Sequence, residues 1–451
     1  MHSTELEKIL KKKAISIGDR VSVSRPEGGK IEGMLLPTLL DDEGKPSNTL
    51  VLKLDNGYNA GVQVDGDAIV EKILQKTTGA LDKTPKRHFE KKEGLPKISM
   101  IATGGTIASR ADYKLGGVKA VLSPEEIFYN MPELAEIASF EKISRPFTLM
   151  SENMTPREWQ KIAEEATREL NSEAAGVIIT HGTDTLHYTS AALSFMIKDL
   201  NKPVALLGAQ RSPDRGSFDG AMNLACASHF VASSGMAEVA IVMHATTNDD
   251  YCIAIRGTKA RKMHTSRRDA FRPVNDAPLA KIWPDGKIEK IRAARAVRPD
   301  AKAVADAKFE EKVALIKVYP GAPPELLDFF VDKKYRGIVV DATGLGHAPT
   351  HTLDKRFSWT ESIKSAVEKG VVVAYTAQTL YGRLSPFVYE PLRLLRQIGG
   401  VHCEDILPEV AYVKLGWLLG HKMPIEEVKK KMLENIAGEI NPRHAEKDFL
   451  A

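Results

Sequence analysis

From residue 97 onward the chain is punctuated by apolar runs rich in β-branched residues: ISMIA (98–102), AGVIITH (175–181), PVALLGA (203–209), VAIVMH (239–244), VALIKVY (313–319), GIVVDAT (337–343) and VVVAYTA (371–377). A strand with one solvated face alternates apolar and polar residues, because successive side chains point to opposite sides of a sheet. These runs do not alternate. They suit strands covered on both faces, as inside a parallel sheet, and the intervals between them leave room for crossover helices. The clearest helix start is Thr155-Pro156-Arg157-Glu158: a capping threonine, a proline in the first turn and a glutamate placed to close a capping box. The expected core is a doubly wound α/β sheet. A less regular segment, 284–307, precedes a fresh series of strands from about residue 312, which predicts two α/β lobes, 97–300 and 301–451.

The first eighty or so residues follow a different rule. RVSVS (20–24) and NTLVLKL (48–54) alternate, and turn-formers lie between and beyond them: Pro26-Glu27-Gly28-Gly29, Asp41-Asp42-Glu43-Gly44 and the hairpin signal Asn56-Gly57. This pattern predicts a small all-β barrel over 1–80. Residues 77–96, TTGALDKTPKRHFEKKEGLP, combine charge and proline with little apolar periodicity, so 81–96 reads as a linker. Its basic cluster, Lys83 to Lys92, reads as a solvated tether.

Composition then excludes whole classes. A formal net charge of +4 is far from the basic footprint of a dedicated nucleic-acid binder. No apolar stretch approaches the roughly 18 residues of a membrane helix. The N-terminal MHSTELEKILKKKAISIGD has charges where a signal peptide needs an apolar stretch, so the expected compartment is the cytoplasm, with no membrane partner. Cys226, Cys252 and Cys403 are too scattered for a disulfide framework or a four-cysteine zinc site, and read as reduced thiols.

In an open parallel sheet, ligands bind beyond the carboxyl ends of the strands. Two such loops stand out: Thr103-Gly104-Gly105-Thr106-Ile107-Ala108-Ser109 after ISMIA, and His181-Gly182-Thr183-Asp184-Thr185-Leu186 after AGVIIT. Glycines let the backbone approach a ligand, and free N–H groups at the next helix favour an oxyanion or phosphate. No GxxxxGK[ST] is present to support nucleotide hydrolysis. A threonine hydroxyl is a weak nucleophile until a base removes its proton. A lysine serves as that base when burial lowers its pKa, whereas a nearby carboxylate pulls the other way, and the sequence leaves that balance open. A basic segment, Arg256-Gly257-Thr258-Lys259-Ala260-Arg261-Lys262-Met263-His264-Thr265-Ser266-Arg267-Arg268, has candidate lysines, although a run this basic also reads as a solvated face.

ATGGTIAS (102–109) and ITHGTDTL (179–186) resemble the two signature segments of the bacterial-type L-asparaginase and glutaminase family, and the likeness spans roughly 97–440. The resemblance implies an asparaginase-like fold in two lobes. It also implies that Thr106 is the nucleophile, that Thr183, Asp184 and Lys262 complete the catalytic set, and that no metal or organic cofactor takes part. MSENM (150–154) resembles the family's substrate loop, which makes Ser151 and Glu152 the expected grip on the α-carboxylate and α-amine. Gly344-Leu345-Gly346-His347 is expected, by the same analogy, to close the site of a neighbouring subunit in a homodimer.

Ordinary asparaginases lack the β-rich N-terminal region and the tether. With RGTKARKMHTSRRDAF (256–271) and DNGYNAG (55–61), the combination resembles the D subunits of archaeal-type Glu-tRNA(Gln) amidotransferases. That family's subunit releases ammonia from glutamine. Its partner, the kinase and tRNA-binding E subunit, uses ATP and Mg to activate and amidate Glu-tRNA(Gln). Two other readings stay open: a free-standing cytoplasmic L-asparaginase acting on asparagine, and an inactive amidohydrolase-fold scaffold.

Overall fold

The apolar runs form two separate parallel sheets, each buried on both faces. The structure is a computed structural model, and it describes residues 4–24, 29–36, 48–54, 59–64, 68–73, 94–105, 109–112, 117–120, 131, 133–213, 217–295 and 301–449. In the first lobe the strands Ser139–Ser144, Lys97–Ala102, Val177–Thr180, Val204–Leu207 and Val239–His244 lie side by side in that order, all parallel. The chain starts at Lys97–Ala102, steps outward to Ser139–Ser144, then returns past its start to Val177–Thr180. The direction of winding therefore reverses between the strands ending at Ala102 and Thr180, and a doubly wound sheet opens its crevice at such a point.

Antiparallel strands Cys252–Arg256, Ala280–Ile282 and Ile288–Lys290 extend this sheet. The last falls inside the segment read as less regular, because a short edge strand carrying Glu289 and Lys290 has no apolar run to announce it. The helix Pro156–Leu170 starts as the sequence predicts: Thr155 Oγ1 accepts from the Arg157 N–H at 3.3 Å, and the Glu158 carboxylate accepts from the Thr155 N–H at 2.8 Å.

The second lobe is a four-stranded parallel sheet, Val313–Lys317, Gly337–Ala342, Val372–Ala377 and Val401–His402. The helix Pro408–Gly420 packs against its strands on one side and against the first-lobe helix Leu186–Met196 on the other. Buried on almost every side, it puts both lobes into one apolar cluster. Ion pairs cross the same junction. Lys259 Nζ meets the Asp405 carboxylate at 2.7 Å with both side chains almost fully buried, and Arg261 meets Glu409 at 3.1 Å.

At the N-terminus, strands Arg20–Ser24, Lys30–Leu36, Thr49–Lys53, Asn59–Gln63 and Ile69–Lys72 form an antiparallel sheet with its own core, Val21, Val23, Leu50, Leu52 and Val62 among others. Leu50 and Leu52 are buried while their neighbours are half-exposed, which is the alternation seen in NTLVLKL. A helix, Thr4–Lys12, adds Leu6 and Leu10 to that core, an element the all-β expectation did not include. Asn56-Gly57, Asp41 to Gly44, Pro26 to Gly28 and the basic cluster Lys83 to Lys92 lie outside the described residues. Lys53 and Asn59, which flank Asn56-Gly57, are antiparallel partners.

The cross-lobe pair has a measurable consequence. Removing one partner of a buried ion pair strands the other charge in the core, at ~3–5 kcal/mol. Lys259→Ala is expected to destabilise the chain by about that amount in urea unfolding, and Lys259→Met with Asp405→Leu to restore most of it. An unchanged midpoint for Lys259→Ala would mean that the pair does not brace the lobes.

Candidate active site

At the reversal point the two strand ends are bolted together. The Thr103 N–H and Oγ1–H both donate to the Thr180 carbonyl, at 3.1 and 2.8 Å, and Thr103 is fully buried. Its hydroxyl is thereby committed to structure. Gly104 and Gly105 follow with φ of +114° and +78°, in the left-handed region that penalises a side chain. A Cβ on Gly105 would collide with the Gly182 backbone, so the two loops meet main chain to main chain. Thr106, the next residue and the expected nucleophile, lies outside the described residues.

Thr183 and Asp184 sit in the turn between Val177–Thr180 and the helix Leu186–Met196. Lys262 reaches them from the hairpin formed by Ala260–Lys262 and Phe271–Pro273. Its Nζ is 2.9 Å from Thr183 Oγ1 and 2.6 Å from Asp184 Oδ1, with the threonine buried, the lysine side chain mostly covered and Asp184 largely open to solvent. Alternation along the strand explains the choice of lysine. Arg261 points to Glu409 in the second lobe, so Lys262, one residue on, faces the opposite side and the crevice. The rest of the basic segment is paired as well: Arg256 with Glu238, Lys259 with Asp405, Arg267 with Asp269 and Arg268 with Asp249. The segment is a row of individual ion pairs, where the sequence also allowed a solvated face.

Ser151 opens a short 3-10 turn, Ser151–Asn153, and is almost fully buried. Thr185 Oγ1 donates to its carbonyl at 2.7 Å, and a Cβ on Gly182 would lie 2.8 Å from its Oγ. The structure thus brings Ser151 against the Thr183 turn, while Glu152 is exposed in the same 3-10 turn. Gly344 to His347 form a tight reverse turn beyond Gly337–Ala342, with the His347 ring beside Tyr389 at 5.4 Å. Two polar neighbours escaped the sequence reading. Gln210 Oε1 is 3.5 Å from Thr183 Oγ1, and the rule about strand ends could have found it, since it follows PVALLGA. His181 donates from Nδ1 to the Gly182 carbonyl at 2.6 Å and accepts from Thr189 at 2.8 Å, holding the turn from beneath.

Burial keeps the nearby imidazoles neutral. His181 is pushed down to about 4 and His187 to about 3, the latter with help from the Arg261 and Lys262 charges. Burial also raises the Glu409 and Asp341 carboxyls, against the pull of Arg261. All three cysteines are buried and free. Among the described residues, no group of three or more His, Cys, Asp or Glu side chains is placed to hold a metal, and no helix is long and apolar enough to cross a membrane.

Comparison with known proteins identifies the family of the lobes and of the N-terminal unit. Residues 97–295 match the asparaginase N-terminal family, 312–432 the glutaminase/asparaginase C-terminal domain, and 15–73 the GatD N-terminal domain. The thermostable L-asparaginase from Thermococcus kodakarensis superposes with a TM-score of 0.67 at 30% identity, covering 77% of this chain and 100% of its own. L-asparaginase I from Vibrio cholerae gives 0.66 at 29%, covering 77% and 99%. Similarity over nearly the whole length comes from the glutamyl-tRNA(Gln) amidotransferase subunits D of Thermococcus kodakarensis, 49% identical over 97% of both chains, and of Pyrococcus furiosus, 49% identical over 99% of both. With both asparaginase lobes and the N-terminal unit matched along one chain, the protein belongs to the family of glutamyl-tRNA(Gln) amidotransferase D subunits.

Proposed function

We propose that this chain releases ammonia from glutamine for the conversion of Glu-tRNA(Gln) to Gln-tRNA(Gln), and that Thr106, Thr183, Asp184 and Lys262 carry the chemistry. The observation that supports this best is the Lys262–Thr183–Asp184 cluster at the reversal point of the sheet, beside the glycine turn that leads into Thr106. Thr106 attacks the side-chain amide carbon of glutamine. Its proton passes through the Thr183–Lys262 pair to the amide nitrogen, which leaves as ammonia. Water then attacks the γ-glutamyl ester, and glutamate departs with Thr106 restored. Backbone N–H groups around the glycine turns stabilise the oxyanion of each step. Ser151 and Glu152 grip the α-carboxylate and α-ammonium, and Asp184 faces the α-ammonium as well as Lys262.

The chain itself needs no metal or organic cofactor for these steps. ATP and Mg belong to the E subunit, the partner that binds and activates Glu-tRNA(Gln) and receives the ammonia. The chain works in the cytoplasm as a homodimer that joins its partner in a heterotetramer, with Gly344 to His347 closing the neighbouring copy's site. The N-terminal unit serves this partnership, since residues 1–96 include none of the proposed catalytic residues.

Thr106→Ala is expected to lower ammonia release from glutamine by roughly 10⁴-fold or more without changing the melting temperature. Near wild-type turnover would remove Thr106 from the mechanism.

Lys262→Ala is expected to lower kcat by about 10²–10⁴-fold, the usual worth of a proton-transfer group. Arg261→Ala, which releases the hairpin from Glu409, should chiefly reduce stability. Equal losses of kcat in both variants would recast the segment as a general electrostatic patch.

Deletion of residues 1–90 is expected to spare glutamine hydrolysis and to reduce Gln-tRNA(Gln) formation with the partner present. If both activities are unchanged, the unit has no role in coupling. Full asparagine turnover without any partner, together with no Gln-tRNA(Gln) formation, would favour a free-standing L-asparaginase.

A further inference from the structure

Gly208-Ala209-Gln210 follows the strand Val204–Leu207 and walls Thr183 on the side away from the Gly104–Gly105 turn. A Cβ on Gly208 would meet Thr183 Cγ2 at 2.8 Å and the His181 carbonyl oxygen at 2.7 Å, so the backbone presses directly on the threonine. The Gln210 N–H donates to both oxygens of the buried Asp219 carboxylate, at 3.1 and 3.0 Å, and the Arg211 N–H donates to one of them at 3.0 Å. That clamp fixes the root of the Gln210 side chain. Its Oε1 lies 3.5 Å from Thr183 Oγ1, and its Nε2 is buried without a hydrogen-bond partner.

A hydroxyl has one proton to give and two lone pairs with which to accept. Lys262 Nζ is 2.9 Å from Thr183 Oγ1 and 2.6 Å from the Asp184 carboxylate, and until it has given up a proton an ammonium in that position donates to both and accepts from neither. The Thr183 proton then requires a different acceptor. Among the described residues, Gln210 Oε1 accepts it, at 3.5 Å. The idle Nε2 is unfavourable for folding, and an apolar side chain of similar shape, such as methionine, would avoid that penalty. Retaining an amide there suits a role at the site better than a role in stability.

We propose that Gln210 is a positioning residue that sets the direction of the Thr183 hydroxyl. Its Oε1 takes the hydroxyl hydrogen bond, leaving the lone pairs of Oγ1 toward Lys262 and the reacting atoms. Lys262 pairs with Asp184 and lies near the buried His187, and glutamine adds hydrogen bonding there without adding charge. The proposal rests on the reading of Thr183 and Lys262 as members of the catalytic set.

The test is ammonia release from glutamine by the full-length chain, as kcat, KM and a pH–rate profile, for Gln210→Met, Gln210→Glu, Thr183→Val and the Thr183→Val/Gln210→Met double variant. Gln210→Met should keep KM within about twofold and lower kcat about tenfold, the worth of roughly one hydrogen bond. Gln210→Glu keeps the acceptor and adds a negative charge, so it should retain more kcat than Gln210→Met and move the limb of the profile that reports Lys262 to higher pH. In the Thr183→Val background, Gln210→Met should cause no further loss, because the two residues act through one hydroxyl. Wild-type kcat and profile in Gln210→Met, with Thr183→Val inactive, would overturn the role of Gln210 alone. Full activity in Thr183→Val would instead overturn the reading of the site. If Gln210→Met melts early, Gln210→Glu decides: a shifted limb supports the proposal, and an unshifted limb overturns it.

Discussion

The site depends on how one lysine is held from two sides. Lys262 ends a three-residue strand, and an unrestrained lysine side chain has about 2 kcal/mol of rotamer entropy to lose when it is fixed. Here the backbone below it is fixed first. Lys259 and Arg261 are anchored to Asp405 and Glu409 of the second lobe, and the strand alternation between Arg261 and Lys262 turns the lysine toward Thr183. The second lobe holds none of the proposed catalytic side chains, yet its carboxylates set where the lysine of the first lobe points. This is a structural reason for two lobes to share one apolar cluster instead of meeting through a loose interface.

Charge is kept to a minimum around that lysine. His181 and His187 both lie close to the Thr183 turn, and burial holds both neutral well below their ordinary range. A protonated imidazole there would add a second positive charge beside Lys262. As a neutral ring, His181 instead donates to the Gly182 carbonyl and accepts from Thr189, so it serves as a fixed strut. The backbone is equally preorganised, because the Thr103–Thr180 bonds and the contact of Gly105 with Gly182 lock two strand ends into a single rigid junction.

Much of this was legible in the sequence because its signals are local. Continuous apolar runs marked the buried strands, Thr155 to Glu158 marked a helix start, and strand ends followed by threonine and glycine marked the crevice. The missing elements are those whose signal lies in another part of the chain. Nothing near Lys259 or Arg261 announces Asp405 or Glu409, which lie well over a hundred residues away, so the basic segment remained ambiguous until its partners were in place. The edge strand Ile288–Lys290 and the helix Thr4–Lys12 were missed for a different reason. Both are short and rich in charge, and packing against a neighbour stabilises them more than their own pattern does.

The N-terminal unit is the part that catalysis does not explain. It has a core of its own, built from Val21, Leu50, Leu52 and Val62 and joined by Leu6 and Leu10 of the first helix. A passive extension would need no such independence. A unit with a private core can present its surface in a fixed shape without borrowing stability from the lobes, which suits a role in assembly. The relatives that match over nearly the whole chain share this unit, whereas the solved asparaginases stop at 77% of it while being covered almost completely themselves. The amidohydrolase lobes are therefore a finished fold without the N-terminal unit, and what separates this family from free-standing asparaginases is added surface around a common core.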